Sequence, residues 1–455
     1  MRKITFTESI LILLLMLIIL GVSVIGLGIS PQIPILFFIG VLIFYGCYIC
    51  RYDWDDIDSG IVDGIKVAVI PIVIFILIGA LIAVWVKAGV IPSLMLWGFK
   101  LINVKFFVPS VFIVCSLVGL FIGSGMTTIS TIGIATLGIG YTLGINPSLT
   151  CGAIISGAMF GDKMSPISDT TNLAPGVAGA DLFAHIKNMM WTTVPAFIIS
   201  LILFFILGQT HSTADLCEIQ NMINLLEVHF NVSVWTIIPV LLMFGCAWFK
   251  LPAIPTLFLN IVVSIVLIFF DDATFNFLKL ANLLQLGCTA QTGNQIIDSL
   301  LSRGGIDSMM ESVFLIVMAL ALGGLLMRLK IIETAMNPLI VKLKTPAALI
   351  FATVLVGILM NLFIGEMYLA IILTGNAFKP IYRKLNLAPV SLSRSLEDSV
   401  TLTNYIIPWG IEGAFAANTL GVPVINFLPF AFFSFICPIL SILSGVTGIG
   451  LKKID

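Results

Sequence analysis

Charge is scarce in this chain. Asp, Glu, Lys and Arg make up 10% of its 455 residues, whereas soluble domains carry about a quarter. With 59% hydrophobic residues, that shortage excludes a protein kept in solution by a charged surface. A net charge of −1 lacks the basic excess on which nucleic-acid binding depends, so no nucleic-acid partner is expected. Histidine is rarer still: His185, His211 and His229 stand alone and read as surface or interfacial residues. The eight cysteines are scattered through apolar segments, and the close pair Cys47 and Cys50 has no second pair to complete a metal set. Packing is therefore their expected role. No Gly-x-x-x-x-Gly-Lys-Ser/Thr loop is present, which argues against a pump with its own nucleotide site. No cofactor is expected.

What the chain has is hydrophobic length. Apolar runs of 18 or more residues recur from Ile10 to the C-terminus, so the fold class is an all-α polytopic membrane protein with roughly 10–13 transmembrane segments, some broken or re-entrant. The stretch Ile10 to Leu27 follows Arg2 and Lys3 like a signal peptide, but its length and the spans behind it predict a retained helix. Spans are expected at about 8–29, 35–50, 67–86, 106–122 with 129–141 completing that crossing, 147–160, 191–207, 234–248, 251–270, 312–327, 347–377 and 424–443. Between the second and third lie Asp53, Asp55, Asp56, Asp58 and Asp63, without the Gly and Glu spacing of an EF-hand, and a solvated connector is expected. The regions 87–105, 271–311 and 345–380 are candidates for re-entrant or interfacial segments. Basic residues at Arg2, Lys3, Arg51, Lys250, Arg328, Lys330, Lys342 and Lys344, against Asp215, Glu218 and Glu227 in the loop 209–232, predict an inner-membrane protein with both termini cytoplasmic.

Two polar islands interrupt this pattern. The first runs from Gly161 to Pro175 and holds Asp162, Lys163, Ser165, Ser168, Asp169, Thr170, Thr171 and Asn172. Each charged residue near a bilayer centre costs roughly 2.5–3.5 kcal/mol on insertion scales, so such a cluster is expected to face protein or water as a site. The second runs from Arg394 to Pro408 and holds Glu397, Asp398, Ser399, Thr401, Thr403 and Asn404. The islands pair Thr170 with Thr403 and Pro175 with Pro408. Upstream, each half carries a Val-Gly pair (Val118-Gly119, Val356-Gly357) and a Phe-Ile-Gly break ending at Gly123 or Gly365. Interrupted hydrophobic segments at corresponding places in two halves are the sign of an inverted-repeat secondary transporter, with its site at the repeat interface. The expected division is N-terminal helices 1–105, a first core repeat 106–208, a connecting region 209–345 and a second core repeat 346–455. Helix breaks are placed at Gly123, Gly125 and Thr127, where a small-residue packing face is the alternative, and at Gly365.

The residue types suit a small hard cation, which exchanges its water for carboxylate, hydroxyl, amide and carbonyl oxygens. An exchanging carboxylate must also take a proton near working pH, and burial beside a second carboxylate raises an Asp in that direction. Asp169 is the first candidate because hydroxyls and an amide surround it. Asp162 is the second, with an ion pair to Lys163 as its structural alternative. Glu397 and Asp398 compete in the second half, either of them a partner for Arg394, with Ser399 and Thr403 as hydroxyl donors. Glu366, alone at a helix break, completes the set. Asp169 and Asp398 are the expected sodium ligands.

The run Gly161-Asp162-Lys163-Met164-Ser165-Pro166-Ile167-Ser168-Asp169-Thr170-Thr171-Asn172 resembles the NhaC-type sodium/proton antiporter family of the wider ion transporter superfamily. So do the run Ser393 to Ser399 followed by Ile407-Pro408-Trp409, and Leu300 to Gly305. The resemblance covers essentially the whole chain and implies exchange of sodium for protons by alternating access, without ATP hydrolysis. Some members of the family exchange organic acids in malate/lactate antiport. Glu412, in Trp409-Gly410-Ile411-Glu412, departs from the smaller, more polar stretch common there and leaves the cargo open. The expected partners are sodium, protons, the lipid bilayer, a small organic anion or amino acid in the alternative reading, and a second copy of the chain in a homodimer. An intramembrane aspartyl protease and a passive channel are the readings from other classes. The first lacks a second motif of its own kind, and the second would show flux without a counter-ion.

Overall fold

The computed structural model describes residues 2–101, 106–208, 216–249, 251–272, 274–294, 297–298, 301–341 and 343–454. His211, Asp215, Lys250, Leu300 and Lys342 lie outside the described residues. Among those described, seven helices are long and apolar enough to cross a membrane, or nine if each of two bent pairs is one span.

The chain opens with α1 (Phe6–Leu20), whose start is fixed by the reciprocal Thr5 and Glu8 capping box, and α2 (Gln32–Phe44). The third helix, α3 (Trp54–Lys87), has 34 residues, about 51 Å at 1.5 Å per residue. The acidic stretch expected to be a solvated connector is therefore the beginning of this helix. Asp53 sits at its N-cap and Asp55 and Asp56 in its first turn, where carboxylates offset the helix dipole. Asp56 also pairs with Arg328. Hydropathy marks only the part that meets lipid, so it starts the element too late. A short α4 (Val90–Leu101) follows.

The first repeat begins with α5 (Phe107–Ile122), α6 (Gly125–Thr128) and α7 (Ile134–Thr142). The expected single crossing through 106–141 is instead a re-entrant hairpin. Gly123 takes the left-handed conformation at φ 69 and ends α5, as a helix C-terminal glycine can without a Cβ penalty. Ser124 then caps α6, and the chain returns until Gly140 lies against Phe107 and Thr150. From there α8 (Pro147–Met164) runs alongside α5, with Gly157 on Phe112 and Cys115 and Gly161 on Gly119 and Leu120. It breaks at Ser165–Ser168 and resumes as α9 (Asp169–Ala178). The helix α10 (Leu182–Leu207) brings the chain back, so that Gly208 meets Val108.

The connecting region contains α11 (Leu216–His229), α12 (Ile238–Trp248), α13 (Ala253–Asp271), α14 (Phe277–Leu286), α15 (Met310–Arg328) and α16 (Ile331–Val341). The loop before α15 lies on α3, where the Gly305 amide donates to the Gly79 carbonyl at 2.7 Å. The second repeat holds α17 (Pro346–Ile364), α18 (Met367–Lys384), α19 (Pro389–Leu396), a π turn at Glu397–Thr401, α20 (Leu402–Asn404), α21 (Ile411–Leu420), α22 (Val424–Phe427) and α23 (Phe432–Thr447). The expected last span 424–443 is divided, because the segment 424–430 bends by 91° from α21 before α23 begins.

One shift of 242 positions, the difference between Gly365 and Gly123, superposes the two repeats. It carries the N-terminal Pro147 of α8 onto Pro389, Pro166 onto Pro408, and the left-handed cap Gly179 onto Gly421. The Phe-Ile-Gly breaks correspond as expected. The terminal prolines do not: Pro408 matches Pro166 in the break, whereas Pro175 lies inside α9. The Val-Gly pairs sit one helical turn apart in this register, since Gly119 and Gly357 stand four and eight residues before their left-handed glycines. The repeats are inverted. Composite α8–α9 starts beside the open end of the first hairpin. It finishes beside the open end of the second, where Lys379 donates to the Val177 carbonyl at 2.7 Å and Tyr382 to Thr353 at 3.2 Å.

The helices outside the two repeats, α3, α13 and α15 among them, form a scaffold, and its packing includes close glycine contacts. A Cβ on Gly64 of α3 would stand 2.1 Å from the Leu320 carbonyl of α15, so Gly64→Ala must push two backbones apart. A cost of about 1–3 kcal/mol is expected, read as a lower melting temperature in detergent. Gly40→Ala, with nothing within 4 Å of its Cβ, should leave that temperature unchanged. Equal behaviour of the two would contradict this packing.

Candidate ion site at the paired helix breaks

A cavity of about 650 Å³ opens where the breaks meet. Its core wall is Gly123 to Thr127, Asp162, Pro166 to Thr170, Tyr368, Tyr405 and Glu412. The facing wall comes from α3 at Val67 to Ile74 and from the start of α13.

Asp162, on the last turn of α8, is 4% exposed, and the Ser168 side chain and the Gly125 amide stand in hydrogen-bonding position to it. Asp169 opens α9 and is exposed at the cavity rim. Thr171 donates to the carbonyls of Asp162 and Lys163 at 3.1 and 3.0 Å, and Asn172 to those of Pro166 and Ser168 at 2.9 and 2.7 Å. These two expected site residues thus stitch α9 to the broken end of α8. The Ser168 and Thr170 hydroxyls bond to each other at 3.1 Å, while the buried Ser165 hydroxyl has no partner. From the hairpin tip, Gly125 and Thr127 line the cavity, and Thr127 donates to Ser124 at 3.0 Å.

Glu412 is the acidic contribution of the second repeat to this cavity. It is 1% exposed, sits on the first turn of α21, and has one carboxylate oxygen without a partner. The Tyr405 hydroxyl lies against Gly125, 2.8 Å from where a Cβ there would be. Among the described lining residues there is no Lys, Arg or His.

Glu397 and Asp398 lie elsewhere. Lys163 does not pair with Asp162: its ammonium bonds to Asp398 and, at 3.0 Å, to the Cys437 sulfur. Thr192 also donates to Asp398 at 3.0 Å, and the Arg394 guanidinium stands 4.0 Å away, itself bonded to Ser444 and the Gly450 carbonyl. Lys163 and Asp398 are fully buried, and a buried ammonium of this kind needs its carboxylate. The sodium pair expected at Asp169 and Asp398 is therefore not brought together: Asp169 lines the cavity and Asp398 does not. Ser399 and Thr403 donate to carbonyls of their own helix, both at 2.6 Å. Glu397 is buried with neither oxygen partnered. Glu366 caps α18 by accepting from the Tyr368 and Leu369 amides at 2.9 and 2.6 Å, so the lone membrane carboxyl closes a helix end. His185, expected at a surface or interface, is buried and bonds to Ser393 at 2.7 Å, joining α10 to α19. Among the described residues no three His, Cys, Asp or Glu side chains could hold a metal ion together.

Three residues absent from the expected set, Tyr368, Tyr405 and Glu412, line the cavity. The signal for Glu412 was the repeat register: 242 positions before it stands Thr170, another cavity residue.

Inverted repeats that break their helices around a shared acidic cavity define a secondary transporter, not an enzyme. The chain belongs to the Na+/H+ antiporter family, whose model matches residues 2–171 and 157–449. It is 42% identical, over 99% of its length and 98% of the relative's, to Na(+)/H(+) antiporter NhaC of Alkalihalophilus pseudofirmus. Identity to Na(+)/H(+) antiporter NhaC of Bacillus subtilis is 39%, over 98% of both chains. The Malate-2H(+)/Na(+)-lactate antiporter of Bacillus subtilis is 33% identical over 87% of this chain and 85% of that one. The protein is a secondary active antiporter of the NhaC type.

The two kinds of carboxylate separate in a stability measurement. Asp398→Ala leaves Lys163 buried and unpaired, at a cost of about 3–5 kcal/mol, and should sharply reduce folded protein recovered in detergent. Asp169→Asn, at the rim, should melt like the parent. A stable Asp398→Ala variant would contradict the structural role of this pair.

Proposed function

We propose that the protein exchanges sodium for protons by alternating access, and that Asp162 and Glu412 are the carboxylates that hold sodium or protons in turn. The observation that carries this reading is a cavity where carboxylates from both repeats meet with no basic side chain among its described lining residues. A bound sodium ion or protons relieve the repulsion between the two acids, so the two cargoes compete for one set of oxygens. That competition makes the exchange obligatory. Hydroxyls of Ser168 and Thr170 and the carbonyl ends of α5 and α8 supply further oxygens of the kind a hard cation takes. Asp169 at the rim attracts the cation.

The same lining disfavours an organic acid or amino acid as cargo. Its carboxylate would meet Asp162, Asp169 and Glu412 with no Lys or Arg among the described lining residues to pair with, and an unpaired buried charge is costly. Sodium for protons therefore fits better than malate for lactate. The lining includes residues from the first half of α3, which follows Arg51, and from the start of α10, which carries Lys187, so the positive-inside rule favours a cytoplasmic mouth for this cavity.

Liposomes with an imposed sodium gradient test the assignment. Sodium added outside should enter the lumen as protons leave it, so the parent should alkalinise the lumen. Asp162→Asn and Glu412→Gln should each lose at least about tenfold in rate, the effect of removing a charged hydrogen-bonding ligand. Asp169→Asn should exchange at full rate with a modestly weaker apparent sodium affinity. Parent-like exchange by Asp162→Asn would refute the assignment, and a parent without sodium-driven proton movement would refute the function.

A further inference from the structure

A second cavity, of about 550 Å³, lies at the other end of the core. It stands between the α21–α22 segment and a scaffold wall formed by Val24 to Gln32 and Glu311 to Leu315. Three of its eight core-lining residues fall at positions that the repeat shift matches to the first cavity. Pro408, Ala414 and Val424 line it, and 242 positions before them stand Pro166, Asn172 and Leu182, which all line the first. The cavities thus correspond in part under the internal repeat, and their facing walls differ: α3 and α13 at the first, the α1–α2 connection and the start of α15 at the second. They are not equivalent in depth, because Asp162, Asp169 and Glu412 line only the first.

The two half-helices differ correspondingly in what they touch. The first cavity stands between α9 and the scaffold helices α3 and α13. Its counterpart α21 is pinned to the scaffold: Asn418 donates to Ser312 on α15, Arg303 donates to the Thr419 carbonyl at 2.9 Å, and Phe415 packs edge-on against Phe75 with ring centroids 5.0 Å apart. At the rim of this second cavity Glu311 accepts from Ser30 at 3.3 Å, and its backbone carbonyl accepts from Gln32 at 3.3 Å.

We propose that the second cavity is the other entrance to the same ion path, with Glu311 as the cation-attracting group at its mouth, and that the Asn418–Ser312 contact holds it shut in this state. What passes through it rests on the exchange reading, whereas the entrance itself rests on the repeat geometry. Inverted repeats alternate access when each takes up the other's arrangement. Here that means α21 parting from α15 as α9 closes on α3.

The test is paired cysteine accessibility in oriented vesicles, with a positively charged, membrane-impermeant thiol reagent and mass spectrometry of the peptide concerned, so that native cysteines do not interfere. Ala414→Cys should react only from the side that carries Gly421, and Ile167→Cys only from the opposite side. Adding Asn418→Ala should raise the rate at position 414 and lower it at 167, each by roughly three- to tenfold, the population shift that loss of one hydrogen bond produces. If Asn418→Ala does not fold, Ser312→Ala removes the same contact and must give the same paired shift. Labelling at 414 from the side that reaches 167, or a folded variant in which the two rates do not move oppositely, overturns the proposal. The assay needs no sodium-driven proton flux, so a failure of the exchange reading leaves its result standing.

Discussion

The structure turns on where Lys163 goes. Asp162 and Lys163 are neighbours on the last turn of α8, about 100° apart around the helix, so they point to different places. Asp162 faces the cavity. Lys163 enters the core and bonds to Asp398, within a set that also includes Thr192, Cys437 and Arg394. Had the neighbours paired with each other, Asp162 would have been neutralised and only Asp169 and Glu412 would have been left unpaired in the cavity. Because the lysine is taken by Asp398, the cavity keeps an acid without a counter-ion, which is the chemical condition for attracting a cation from water. The pair also crosses the repeats, tying α8 of the first to the π turn of the second.

Geometry does the rest. Each repeat turns a hairpin back on a left-handed glycine, Gly123 or Gly365, and breaks a crossing helix at a proline, Pro166 or Pro408. Broken backbone is stable in a membrane only when buried in protein or lining water, and both conditions hold here. Thr171, Asn172, Glu366, Asn361 and Thr403 spend their hydrogen bonds closing the loose ends. Other polar groups line the cavity itself, with Asp162, Ser168, Asp169, Thr170 and Glu412 among them.

Part of this was legible in the sequence. The glycine breaks at Gly123 and Gly365, and a first polar island that meets a cavity instead of lipid, follow from polar residues in a chain that otherwise avoids them. The second island misled, because a polar run in a membrane helix looks the same whether it lines water or satisfies itself in the core. Only the packing shows that Asp398 answers Lys163 and that Ser399 and Thr403 bond to their own helix. The place of Glu412 in the cavity lining is hidden when the islands are matched by length and terminal proline, which misplaces the second by nine positions against the shift of 242. The acidic start of α3 was lost for another reason: hydropathy reports lipid contact, and helices continue past the membrane when capped and paired.

Which carboxylates hold the ion is tested most directly by a structure of the protein determined with and without sodium. Sodium density within ligating distance of Asp162 and Glu412, with the Lys163–Asp398 pair unchanged, is the predicted result. Density at Asp398, with Lys163 displaced and the cavity carboxylates empty, would contradict it.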